Sequence, residues 1–186
     1  MQHPLEIIPA EYRKRIFFTL LVLTLSLFAV FRVLDQPLRT PVAPNGIVSF
    51  ELARTPEKAF QIMVSWEPVN FAGPNIFRIK GYLYAAFGLG LDYLFMPVYA
   101  LALAFGTLLA AGKHAGWLMA IGAVAGYGAF AAALFDAVEN YALWQVLLGA
   151  YDSAYPAIAA FCATVKFTLI LAGVLYMVVG WMWPKK

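Results

Sequence analysis

Cysteine, histidine and charge are all scarce in this chain, and each scarcity closes off a class of function. One cysteine, Cys162, leaves no intramolecular disulfide and no thiol pair for redox work or metal binding. Two histidines, His3 and His114, fall outside the apolar runs, so bis-histidine haem ligation within those runs is not expected. Only 12% of the 186 residues are charged, about half the share usual in soluble domains, while 63% are hydrophobic. The composition is that of an integral membrane protein. A net charge of +3 without a basic face carries no nucleic-acid meaning. There is also no H-E-x-x-H, P-loop or Cys-x-x-Cys pattern.

What the chain has instead is long apolar runs. An all-α, polytopic fold is expected: a bundle of four transmembrane helices with a partly structured extracytoplasmic loop between the first two. Residues 1–12 are polar, and Arg13-Lys14-Arg15 then precedes the first span, 16–34, whose 19 residues approach the roughly 20 needed to cross a hydrocarbon core. A cleavable signal peptide is the rival reading, but no small-x-small site closes the run and Arg32 interrupts its end. The remaining spans are expected at 82–109, 117–148 and 156–183, the inner pairs joined by tight turns at 112–116 and 149–155.

The loop, 35–80, carries two local signals. Residues 47–52, Ile-Val-Ser-Phe-Glu-Leu, read as a short strand. Thr55 and Pro56 read as the N-cap and first position of an amphipathic helix over 56–66, lying on the membrane surface or capping the bundle, with Trp66 as its anchor. Sidedness follows from basic residues near the spans. Arg13, Lys14, Arg15, Lys113, Lys185 and Lys186 lie on one side, against Arg39, Arg54, Lys58, Arg78 and Lys80 on the other. The excess favours cytoplasmic termini and an outer long loop.

Against this apolar background, Asp136, Glu139 and Asn140 share one helix face in the third span. Charge at membrane depth costs a few kcal/mol or more, so such groups turn inward and seek partners. Residues equidistant from a tight turn lie at one depth, which sets Glu139 level with Lys166, and Asp136 level with Asp92. Arg32 falls at a comparable height, giving a buried polar layer of Asp92, Asp136, Glu139, Asn140, Lys166 and Arg32. Three acids against two bases would leave one acid protonated or bound to a cation. Pro97 is expected to kink the second span and free the carbonyl of Tyr93 beside that layer. Gly122 and Gly126 form a G-x-x-x-G pair suited to close packing, as do Gly128, Ala132, Ala159, Cys162 and Ala163. Tyr82, Tyr84, Tyr93, Tyr99, Tyr141 and Tyr176 are read mainly as interface anchors or as core with satisfied hydroxyls.

The segments Ser49-Phe50-Glu51-Leu52-Ala53, Leu91-Asp92-Tyr93-Leu94-Phe95 and Phe135-Asp136-Ala137-Val138-Glu139-Asn140 together resemble a group of uncharacterised four-span bacterial inner-membrane proteins. That resemblance implies a bacterial inner (plasma) membrane location and no activity. The layout is also similar to the claudin-like tetraspans, whose paired loop cysteines this chain lacks, and in size to sterol-isomerase-like four-span proteins. Two functions compete. One is an accessory or scaffold subunit of a membrane complex, partnered by the lipid bilayer and by another membrane protein or further copies of itself. The alternative is a small-molecule, lipid or cation/proton binding site in the polar layer, for transport or lipid chemistry. In that case Asp92 or Glu139 would serve as an acid tuned toward neutrality.

Overall fold

The computed structural model describes residues 2–66, 81–150 and 152–183, and they are helical, with no strand among them. Arg78, Lys80, Lys185 and Lys186, which enter the charge count for sidedness, lie outside the described residues. Four helices are long and apolar enough to cross a membrane: α1 (Ala10–Leu34), α4 (Gly81–Ala111), α5 (Trp117–Leu147) and α6 (Tyr155–Met182). Two short helices, α2 (Ile47–Glu51) and α3 (Pro56–Ser65), lie between α1 and α4, after a 3₁₀ turn at Gln36–Leu38. α1 begins six residues before its apolar run and takes in Arg13-Lys14-Arg15. The chain is a multi-pass membrane protein.

Contacts divide it into two compact units whose boundaries fall inside the long helices. The first comprises Met1–Leu27, Leu94–Asp136 and Val165–Lys186; the second, Phe28–Tyr93 and Ala137–Thr164.

The core of the second unit is built where the loop meets the helices. Leu38, Phe50, Ala59, Ile62 and Trp66 pack with Ala85 and Leu89 of α4, Leu143 and Val146 of α5, and Ala159 of α6. Trp66 is only 4% exposed, and its ring N–H donates to the carbonyl of Leu38 at 2.8 Å. It is therefore a core residue, not a lipid-facing anchor, and α3 caps this unit. Thr55 has extended backbone and its hydroxyl accepts from the Lys58 amide, with Pro56 at the first helical position, so the cap satisfies an otherwise orphan donor.

Residues 47–52 do not form the expected strand. A lone strand would leave its amides without a ladder, whereas residues 47–51 close their own turns, with Ser49 N–H donating to Gly46 and Leu52 N–H to Val48. Asp35 starts the helix: one carboxylate oxygen accepts from the Ile47 amide at 2.7 Å and the other from Arg39 at 2.9 Å. Gly46, at φ 60° and ψ −128°, makes the turn, and a side chain there would occupy the place of the Asp35 carboxylate.

In the first unit, Phe17 of α1 packs with Phe105 and Leu108 of α4 and meets Trp181 of α6 edge-on at 5.4 Å. Both histidines, expected outside the apolar interior, are buried. His114 bonds the Gly180 carbonyl at 2.9 Å, and Lys113 donates to Trp181 at 3.3 Å, so the α4–α5 turn satisfies the last carbonyls of α6. The glycine pair receives side chains: Gly122 lies under the Tyr176 ring, whose hydroxyl donates to Leu118 O at 2.9 Å, and Gly126 lies under His3.

Gly46→Ala strains the backbone and displaces Asp35, so it is expected to destabilise the 35–66 segment by about 1–3 kcal/mol. Limited proteolysis in lipid nanodiscs would show faster cleavage in that segment, with α4 to α6 unchanged.

Candidate functional site

Asp136 is the best-defined polar group within the spans. Its side chain is buried at 2% exposure, and Ala129 and Ala132, earlier on α5 in the same unit, are buried completely. One carboxylate oxygen accepts from Lys166 Nζ at 2.8 Å, the other from the Tyr99 hydroxyl at 2.9 Å. Lys166 and Tyr99 are themselves buried, and the ammonium also lies 4.9 Å from the centre of the Phe167 ring. Both oxygens of the carboxylate are thus answered, one by a cation and one by a neutral donor.

In the second unit, the amide of Asn140 is the buried group, 1% exposed. Its Nδ2 donates to Asp92 Oδ2 at 2.8 Å and to the Leu89 carbonyl at 3.3 Å. Because both partners accept, the amide's orientation is fixed. Asn140 Oδ1 is then left buried with no hydrogen-bond partner among the described residues. Asp92 itself is half-buried. Glu139, the neighbour of Asn140, is completely buried. The Tyr93 hydroxyl donates to the Ala137 carbonyl at 3.3 Å from a half-exposed position.

The expected six-residue layer therefore needs revision. Arg32 is exposed in the last turn of α1 and belongs to no buried group. A cation there complements the negative end of the helix, which accounts for its position without an acid. With Arg32 outside, the count of three acids against two bases no longer describes the interior. Pro97 lies within α4 with its ring exposed.

The levels also differ by about a turn from those set by the turn centres. Asp92 meets Asn140, a position four residues farther along α5 than the one level with it. Side chains tilt toward their own helix N-terminus, so on antiparallel neighbours those of α4 lean away from the 112–116 turn and those of α5 lean toward it. Contacting residues are offset accordingly. Lys166 reaches Asp136 instead by length: three residues are about 4.5 Å of axial rise, within the span of its four-carbon stem.

Tyr99 is the residue whose role the sequence did not single out. It had one readable signal, a hydroxyl at helix position i+7 from Asp92 and hence on its face. Of the other tyrosines, Tyr176 is bonded to a backbone carbonyl, Tyr84 packs on the loop core, and Tyr82 and Tyr141 are exposed.

Among the described residues, no group of three or more His, Cys, Asp or Glu side chains is placed to hold a metal ion. No protein-family model matches the chain, and neither does any curated protein or solved structure.

Removing one member of the Asp136–Lys166 pair strands the other in low dielectric, so Asp136→Ala is expected to cost about 3–5 kcal/mol. Replacing both, as Asp136→Leu with Lys166→Met, should cost far less than the two single changes summed. Thermal unfolding of the four proteins of this cycle in nanodiscs measures the coupling directly.

Proposed function

We propose that this protein is an accessory or scaffold subunit of a complex in a bacterial inner membrane, with both termini cytoplasmic and the α2–α3 loop outside. The observation that carries the reading is the closed state of its central charge. The Asp136 carboxylate is neutralised by Lys166 and bonded by Tyr99, all within one unit, an arrangement suited to holding helices together and not to receiving a substrate. The surface of α1 supports the same reading. Only 6% of its apolar window is buried, leaving Val22, Leu25, Phe28 and Val33 directed outward to lipid or to a neighbouring helix. The likeness of the loop and span segments to four-span bacterial inner-membrane proteins agrees with the location.

A second reading rests on Asn140. A buried carbonyl oxygen with no donor costs about 1–3 kcal/mol, and Asp92 stands beside it, so a ligand offering an N–H or O–H group would be accepted there. That reading makes the Asp92–Asn140 pair a small-molecule or proton site, with Glu139 as a neighbouring acid.

Native mass spectrometry of the protein, gently extracted from its own membranes, separates the two readings. The accessory role predicts the 20.5 kDa chain in stoichiometric association with another membrane protein or with copies of itself. A lone chain retaining a small mass that is lost in Asp92→Asn and Asn140→Leu variants would replace it with the binding-site reading.

A further inference from the structure

Residues 2–9 fold back on the first unit before α1 begins. Turn hydrogen bonds from Glu6 N–H to His3 O and from Ile8 N–H to Leu5 O make the segment compact. Arg13 of α1 clamps it from behind, its Nε and Nη2 donating to the carbonyls of Ile8 and Glu6, each at 2.6 Å. Leu5 packs among Leu103, Ala104, Ala129 and Phe130 of α4 and α5. The segment's tip is His3, only 6% exposed although it lies seven residues before the helix.

The hydrogen bonds around the His3 ring fix its protonation. Nδ1 lies 3.2 Å from the Leu5 amide, which donates to it, so Nδ1 carries no proton. Nε2 must then be the N–H of a neutral ring, and it donates to Thr107 Oγ1 at 3.2 Å. Thr107, completely buried, passes its own proton to the Ala104 carbonyl at 2.9 Å. The chain of donors runs one way, with no place for a second ring proton. Opposite the ring stands Gly126, where any side chain would occupy the imidazole's place. Thr107 and Gly126 thus form a notch in α4 and α5 that one neutral imidazole fills.

We propose that residues 2–9 are a pH-responsive plug, docked in the Thr107–Gly126 notch while His3 is neutral and released when His3 gains a proton. Protonation would set an Nδ1–H against the Leu5 N–H and bury a cation among apolar groups. The charged groups that bear on the ring belong to the segment and its clamp: Glu6, which favours the cation, and Arg13, which opposes it. α4 from Leu94 to Ala111 and α5 from Trp117 to Phe135 carry no Asp, Glu, Lys or Arg, and in the first unit α6 carries only Lys166, which is bonded to Asp136.

Burial, the largest influence, lowers the ring's pKa from 6.5 to about 4. A depressed histidine pKa means that docking is at full strength above pH 6.5, weakens as pH falls, and is lost below about 4. The notch would then open in acid, exposing Thr107 and the small-residue face around Gly126 and Ala129.

Spin labels on the full chain in nanodiscs test this, placed by Ile7→Cys and Val124→Cys, both at exposed sites of the first unit, in a Cys162→Ala background. With His3 present, a single short distance is expected at pH 7.5, and the ratio of docked to displaced segment should fall at least tenfold by pH 4. His3→Gln, which cannot be charged, should give a distribution that does not change with pH. Gly126→Leu should displace the segment at both pH values. A distribution with His3 that is unchanged between pH 7.5 and 4, or a His3→Gln protein that responds to acid as fully as His3 does, would overturn the proposal.

Discussion

Burying a carboxylate in an apolar bundle is the constraint from which the arrangement of the first unit follows. A charge taken out of water costs several kcal/mol even after relaxation, and partial compensation leaves much of that cost in place. Asp136 meets it with two donors from two other helices, Tyr99 on α4 and Lys166 on α6. Those bonds fix how α4 and α6 stand against α5, because a slip of one residue would turn each donor through about 100°. Ala104 of α4 and Ala129 of α5 pack in one buried cluster of the same unit, where small residues let the helices approach. Charge satisfaction and small-residue packing therefore specify the same geometry.

A second regularity is that three glycine positions receive a polar side chain from elsewhere in the fold. Gly126 receives the His3 ring, Gly122 the Tyr176 ring and Gly46 the Asp35 carboxylate. In each case the missing Cβ makes room for a polar group that then finds a partner: Thr107, the Leu118 carbonyl, or the Ile47 amide. At these three places glycine leaves space for a polar group beside a hydrogen-bonding partner.

These two rules separate what was legible in the sequence from what was not. Long apolar runs are a one-dimensional signal, so four helices able to span a membrane could be read directly. The Thr55-Pro56 helix start was equally local. The inward face of Asp136, Glu139 and Asn140 followed from the helical period, and all three are buried. Pairing depended on quantities the sequence does not display. Side-chain tilt shifted Asp92 to Asn140, and lysine reach took Lys166 to Asp136. Arg32 looked like a layer member by height alone, but height does not say which way a side chain points. The helix at 47–51 arose from a contact across twelve residues to Asp35, beyond any local pattern. His3 was passed over because a polar flanking segment gives no sign that it will fold back into a notch.

The proposed scaffold role makes the Asp136–Lys166–Tyr99 group architecture that holds helices in place. The most direct measurement is whether the protein lacking both charges, Asp136→Leu with Lys166→Met, still performs in its own cells and still co-purifies with whatever proteins accompany the unaltered chain. A folded double variant is expected to keep both. A double variant that is folded and inserted, yet has lost its cellular role, would contradict it and place the function in the charges themselves.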